Sequence, residues 1–247
     1  QIIPVDVSGA TGYKQRWVNA GTLSNKGVEL SAFVIPIRTT NFSWTLNANF
    51  ARNKSMMTEI YGENTNIQLG SFQAGITLNA SKGQPYGTLK GVDFLYIKGH
   101  EGKKNYRSVG DDGYYLQSAA GQVLGNIIPD WTAGIQNNFK YKDLSLSFLI
   151  DIKKGGSIFS LDQYYGMATG LYPESAGLNV LGNPQRTPIS EGGGVILPGY
   201  TADEDRNSTG TNSTRVEAYD SNVTPYGYAN NPSGGSIFDA SYVKLRE

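Results

Sequence analysis

The chain has 247 residues in which 21 basic side chains balance 21 acidic ones, so no net charge points to nucleic acid as a partner. It has no cysteine and one histidine, His100, which excludes disulfide frameworks, thiolate metal sites and paired-histidine metal sites. Charged residues make up only 17%, against about 25% in an ordinary soluble domain, while glycine supplies 31 residues and tyrosine 16. Such a composition suits a β-rich protein with long loops.

The first residues, Gln1-Ile-Ile-Pro4, carry neither an initiator methionine nor a basic-then-apolar leader. The longest apolar run, Ala32 to Ile37, includes Pro36 and falls far short of the ~20 residues of a membrane helix. A strand is expected to end near Val34, followed by a short turn over Pro36–Asn41. From there Phe42, Trp44, Leu46, Ala48 and Phe50 alternate with Ser43, Thr45, Asn47 and Asn49, a period of two that gives a strand one apolar and one polar face. Trp131, Ala133, Ile135 and Phe139 repeat the alternation against Thr132, Gly134, Gln136 and Asn138. After a tight turn at Lys142-Asp143, Leu144, Leu146, Phe148, Ile150 and Ile152 alternate with Ser145, Ser147, Leu149, Asp151 and Lys153.

Each of these strands is expected to run about nine to eleven residues, the span of a tilted strand through a hydrocarbon layer. The aromatic residues lie near the ends of the apolar faces, where rings sit at a membrane–water interface: Phe42, Phe50, Trp131 and Tyr141. A soluble β-sandwich also alternates, but with shorter strands, commonly ~5–6 residues. The loops separate the two. About 80 residues lie between Gly156 and Ile237, with six of the ten prolines and seven of the 16 tyrosines. Short turns at one end and a very long loop at the other are the layout of an outer-membrane barrel.

Several segments in sequence order resemble one family. Asn19-Ala-Gly21 with Asn25-Lys-Gly-Val-Glu-Leu30, Gly83-Gln-Pro-Tyr-Gly87 with Gly91, Leu124-Gly125 with Pro129-Asp-Trp131 and Gly134, Asn138–Ser147 with Gly155-Gly156, and the ending Asp239–Glu247 are similar to the signatures of SusC/RagA-type TonB-dependent transporters. The resemblance implies an all-β, antiparallel transmembrane β-barrel section, about eight strands of a larger barrel, with one very long extracellular loop at about 157–236. Residues 1–247 would then all belong to the barrel domain, with the plug and final strands outside the sequence. It also implies a bacterial outer membrane, an importer of oligosaccharides or peptides, a SusD-like surface lipoprotein as lid, and coupling to the TonB complex through an N-terminal region not present here. The chain departs from the family where an acidic stretch normally precedes the Pro-x-Trp strand: only Gly110-Asp-Asp-Gly113 remains.

No catalytic constellation is found. His100 sits in a turn-like stretch, and Asp111 and Asp112, as sequence neighbours, would face opposite ways in a strand. Asp203-Glu-Asp-Arg-Asn207 has oxygen donors at alternate positions but Ser208 and Thr214 where a calcium loop needs glycine and glutamate, so a solvated tip is the better reading. Gly192-Gly-Gly194 lacks the residues of a phosphate cradle and reads as a flexible loop. Asn207, Asn212 and Asn222 match a glycosylation pattern that carries no weight in the bacterial setting. No enzyme activity, metal or cofactor is expected. The candidate substrate contacts are the loop tyrosines Tyr164, Tyr165, Tyr172, Tyr200, Tyr219, Tyr226 and Tyr228, because a phenol offers a flat face for stacking and a hydroxyl for hydrogen bonding. The alternative is a soluble or surface-attached carbohydrate-binding β-sandwich; a passive porin or an adhesion barrel is a further possibility.

Overall fold

The computed structural model describes residues 2–6, 8–19, 21–60, 62, 64–220, 225–227 and 230–246. The chain is mainly strand, and its backbone is one antiparallel five-stranded sheet. β1 (Gly21–Arg38), β2 (Phe42–Ile60), β3 (Trp131–Tyr141), β4 (Leu144–Lys154) and β5 (Tyr242–Arg246) follow one another across it in chain order. Five strands form this sheet; the pair Ile2–Asp6 with Gln15–Asn19 precedes β1, and the remaining short strands pair among themselves.

Two of the strands are far longer than nine to eleven residues: β1 has 18 and β2 has 19. The apolar alternation stops after Phe50, but ladder hydrogen bonds need only backbone, and pairing continues from Ala51↔Glu29 to Ile60↔Gly21. Between Val34↔Leu46 and Ile37↔Trp44 the register shifts at Ile35-Pro36. Proline has no N–H to give the ladder, and a bulge is where a strand accommodates one. The turn that follows is closed by the Thr39 N–H donating to Phe42 O at 2.7 Å and the Phe42 N–H to Thr39 Oγ1 at 3.0 Å.

Register fixes which residues share a face. Leu30, Phe50, Ala133 and Ile152 lie in one row, and Ala32, Ala48, Ile135, Ile150 and Leu245 in the next. The opposite face has Asn49, Gly134, Asp151 and Lys244 in line, then Asn47, Gln136, Leu149 and Arg246. On that second face Arg246 pairs with Asp151 at 2.7 Å, and the Tyr242 hydroxyl donates to the same carboxylate at 3.2 Å. The apolar face stays uncovered, with Leu30, Leu144, Leu146, Val243 and Leu245 all at least 60% exposed. A soluble sandwich would bury this surface against a second sheet. No helix among the described residues is long and apolar enough to cross a membrane, which says nothing of strands.

At one end β1–β2 and β3–β4 join by the short turns around Asn41 and Lys142. At the other, two excursions leave the sheet, residues 61–130 and 155–241. The expectation of a single long loop is thus replaced by two folded insertions. The first builds a four-stranded sheet from Asn66–Ser71, Thr77–Ser81, Thr88–Gly91 and Gln122–Asn126. It seats on the far end of β2 through Met57, Ile60 and Ala80, all buried. The second is clamped at its neck, where Ser157–Phe159 pairs with Ile237–Asp239 and the Gly155 N–H donates to Ser241 Oγ at 2.7 Å. Within it, α1 (Leu161–Thr169) starts at Ser160, whose Oγ accepts from the Gln163 N–H at 3.1 Å, and stops at Gly170 in the left-handed region. Tyr200–Ala202 runs parallel to Ser108–Val109, which ties the second excursion to the first.

Candidate functional site

At the junction of the two excursions, aromatic and charged residues converge on a shared core. Phe94, Val109 and Tyr115 come from the first excursion, Leu197 and Val216 from the second, and all five are buried. Arg107 lies across this core with its guanidinium 3.5 Å from the centre of the Phe94 ring and 5.3 Å from that of Tyr115. A flat guanidinium over a ring face is held by the ring quadrupole. Its Nε is buried without a hydrogen-bond partner among the described residues, and its charge lies close enough to the Tyr96 and Tyr115 phenols to oppose the rise that burial gives them.

Arg107 forms one wall of a hollow of about 260 Å³, with Lys104, Tyr115, Gln163, Glu174 and Tyr226 among the others. Burial pushes the Tyr226 phenol up to about 12; the charges of Tyr115 and Glu174 add to this and Arg107 opposes it. Burial likewise raises Tyr115, against the pull of Arg107. Both phenols are therefore neutral at ordinary pH and present O–H groups, and the Tyr115 hydroxyl donates to Pro198 O at 3.1 Å. A second hollow of about 400 Å³ is lined by Val92, Gln117, Tyr164, Tyr165, Asn231 and Ser233, and Asn231 borders both. Sites that enclose a whole ligand run from roughly 300 to 1,000 Å³, so the smaller hollow suits one residue or one ring of a longer chain and the larger lies at the low end of that range.

The seven candidate tyrosines fare differently. Tyr164 and Tyr165 line the larger hollow, their rings 5.5 Å apart and nearly perpendicular, with Phe159 behind Tyr164 at 6.4 Å. Tyr226 lines the smaller one. Tyr172 borders neither: its hydroxyl donates to Asp162 Oδ2 at 3.1 Å, and its ring fills the space where a side chain at Gly166 would stand, 2.4 Å from the Cβ position. Tyr200 stacks on Tyr106 at 5.5 Å, and Tyr106 on His100 at 4.0 Å with rings 4° from parallel, so His100 is one plate of a three-ring stack. Tyr219 is exposed. Tyr228 lies outside the described residues. Sequence reasoning missed Arg107, Lys104, Glu174 and Asn231; only the clustering of Tyr106, Arg107, Tyr114 and Tyr115 could have drawn attention to the first excursion.

Two other readings from the sequence acquire a geometry. Asp203 closes the hairpin between Tyr200–Ala202 and Ser208–Thr211, its carboxylate accepting from the Asn207 N–H at 2.8 Å and from Asn207 Nδ2 at 3.1 Å. These bonds hold the Asp203 carboxyl below its ordinary range. No group of three potential metal ligands occurs among the described residues. Gly192-Gly-Gly194, read as a flexible loop, is a close-packed turn: the Gly193 N–H donates to Pro188 O at 3.0 Å and the Gly194 N–H to Gln185 O at 2.9 Å.

No family model matches the chain. It is 27% identical over 178 residues, 65% of its length, to TonB-dependent receptor P26 of Formosa agariphila, and 26% identical over 176 residues to TonB-dependent receptor P3 of the same organism. In each case the match spans 18% of the relative, so the chain corresponds to about a fifth of these proteins. These relatives are named as receptors, not as enzymes. In fold it is similar to a chain of the RagAB peptide importer in the closed-closed state, with a TM-score of 0.56, 16% identity, and cover of 99% of this chain and 24% of that one. A second RagAB peptide transporter structure aligns with a TM-score of 0.53 over the same shares.

Proposed function

We propose that this chain, which carries the motifs and the fold of SusC/RagA-type TonB-dependent transporters, is a stretch of barrel wall in an importer of the bacterial outer membrane. The observation that carries this reading is the two-faced sheet. One face is apolar but for Asn137 and is largely uncovered, and the other is mainly polar. An 11-residue strand such as β3 runs about 34 Å, and at a tilt of about 40° it rises about 26 Å, close to the ~25 Å apolar band of outer-membrane barrels. The polar face lines the lumen, and both excursions stand on the extracellular side. There they meet substrate and a SusD-like lipoprotein lid; coupling to the TonB complex belongs to parts of the protein beyond this chain.

For substrate we favour peptides over oligosaccharides. The smaller hollow combines a guanidinium, an ammonium, a carboxylate and phenol hydroxyls, groups that answer the mixed charges of a peptide better than a neutral sugar. The RagAB neighbours are described as peptide importers, in keeping with this reading. Extraction of the native protein from outer membranes in mild detergent, followed by mass spectrometry of what accompanies it, tests the reading. A chain several-fold longer than this one, with a bound lipoprotein and peptides, is the expected result. A freely soluble chain with no partner overturns the reading, and bound oligosaccharide overturns the choice of peptide.

A further inference from the structure

We propose that the lipid-side face of the sheet carries, at its excursion end, a binding site for the phosphate groups of an anionic lipid headgroup, built from Lys26, Arg52, Lys54 and Lys154. The proposal rests on the sheet being a membrane wall. Register puts all four on one face: Arg52 lies opposite Val28 and Lys54 opposite Lys26, two and four positions beyond Phe50. Lys154 lies opposite Trp131, two beyond the Ala133↔Ile152 pair. They therefore continue the apolar face and point away from the side we assign to the lumen.

The position is that of a headgroup layer. Phe50 and Trp131, with ring centres 5.8 Å apart, end the apolar band at this edge as an aromatic girdle does, and the cations stand just beyond them. The other end of the same face carries Phe42, Tyr141 and Leu144, with Lys142 in the turn alone. The basic collar is thus one-sided, as recognition of one leaflet requires. It crosses from β1 to β4, about 14 Å at ~4.8 Å per strand, wide enough to engage more than one phosphate.

Charge supplies the second argument. Like charges directly across a strand pair are destabilising, yet Lys26 faces Lys54 with Arg52 beside them. Among the described residues no carboxylate pairs with any of these three, and Lys154 alone has a partner, Asp239 at 3.6 Å. Arg52 and Lys54 also wall a hollow of about 230 Å³ in which Asp130 is the single acid. An anion bridging the ammonium and guanidinium groups would relieve this repulsion, and the apolar band below supplies the place for its acyl chains.

The test uses the native protein reconstituted into bilayers of phosphatidylcholine doped with lipid A, or with the same lipid after removal of its phosphates, and counts retained glycolipid by mass spectrometry. We expect retention of the phosphorylated form only. It should fall on the order of a hundred-fold at low salt in the K26Q/R52Q/K54Q variant, each cation contributing to surface attraction. The K26R/K54R variant should keep it, as should K140Q/K153Q, which removes two cations from the opposite face. Equal retention by wild type and the triple glutamine variant, or retention indifferent to phosphate, overturns the collar while leaving the membrane reading intact. Failure of the wild type to enter bilayers overturns both.

Discussion

The indole N–H of Trp44 on β2 donates to Oδ1 of Asn137 on β3 at 3.2 Å, a diagonal contact, since Asn137 lies opposite Leu46 and Trp44 opposite Phe139. Asn137 is the one amide in the apolar rows of the sheet and only 7% exposed, roofed by Trp44 and by Phe148 from β4. The indole satisfies its oxygen, so Trp44 serves both as an aromatic of the apolar face and as a polar partner. Trp44→Phe keeps most of the apolar area but strands the amide oxygen in apolar surroundings, and it should cost about 1–3 kcal/mol. Asn137→Leu instead leaves the indole N–H without its acceptor, whereas the double variant Trp44→Phe/Asn137→Leu removes both needs together and should cost less than Trp44→Phe alone. Urea unfolding of the native protein in detergent, followed by circular dichroism, compares Trp44→Phe with the double variant; equal losses would contradict the account.

Arg107 is the anchor of the excursion junction. Arg107→Lys keeps the charge but loses the flat plate that covers Phe94 and reaches the Tyr115 ring, so it is not a conservative change. It should weaken capture of an acidic peptide by about ten-fold, a loss of ~1.4 kcal/mol. Arg107→Ala should weaken it at least as much and lower the melting temperature of the excursions. Isothermal titration with peptides that differ only in a carboxylate against a carboxamide reads the effect. A binding constant unchanged in Arg107→Lys would remove this residue from the substrate surface.

The turn at Gly192–Gly194 is decided by a carbonyl. A Cβ built at Gly193 would stand 1.6 Å from Thr187 O, which is backbone and cannot swing aside. Arg215 Nη1 also donates to Gly192 O at 3.4 Å and to Gly193 O at 3.3 Å, so the turn is held from both sides. Gly193→Ala should therefore open the 185–216 segment, with local destabilisation above about 2 kcal/mol. Limited proteolysis is the measure. Cleavage should appear in the second excursion at protease levels that leave the wild type whole, while β1–β4 stay protected.

The sheet was legible because its chemistry has period two: Phe42 to Phe50 and Leu144 to Ile152 each declare a face, and pairing brings those faces into line. The far halves of β1 and β2 were not legible. Beyond Phe50 the apolar residues no longer alternate along one face, and backbone hydrogen bonds leave no trace in side-chain pattern. The excursions were misread for a related reason. Their order comes from short strands, turns and a neck clamp between Gly155 and Ser241, 86 positions apart, which no local window contains. Tyr164, Tyr165 and Tyr226, singled out because tyrosine is conspicuous, line hollows; the place of Arg107 was not legible because it depends on a ring from Phe94 and a hollow closed by Glu174 and Tyr226 from the other excursion.

Tyr226 gives the junction a pH dependence whose sign is fixed. Its phenol stands at about 12 in the folded protein against an ordinary 10.0, so the folded state holds this proton more tightly than the unfolded chain. Below pH 10 both states are protonated and the stabilisation is fully present. As the pH rises from about 10 to about 12 the unfolded chain loses its proton first, and stability falls by on the order of 2 kcal/mol. Tyr115, raised by burial as well, adds to the same slope. Tyr226→Phe cannot ionise and should flatten the loss in that window, while leaving stability near neutral pH little changed. Ultraviolet titration of the phenolates alongside chemical unfolding at stepped pH reads both. Loss in the variant of a phenol that titrates near 10 instead of near 12, with parallel stability curves, would show that Tyr226 is solvated and the hollow open.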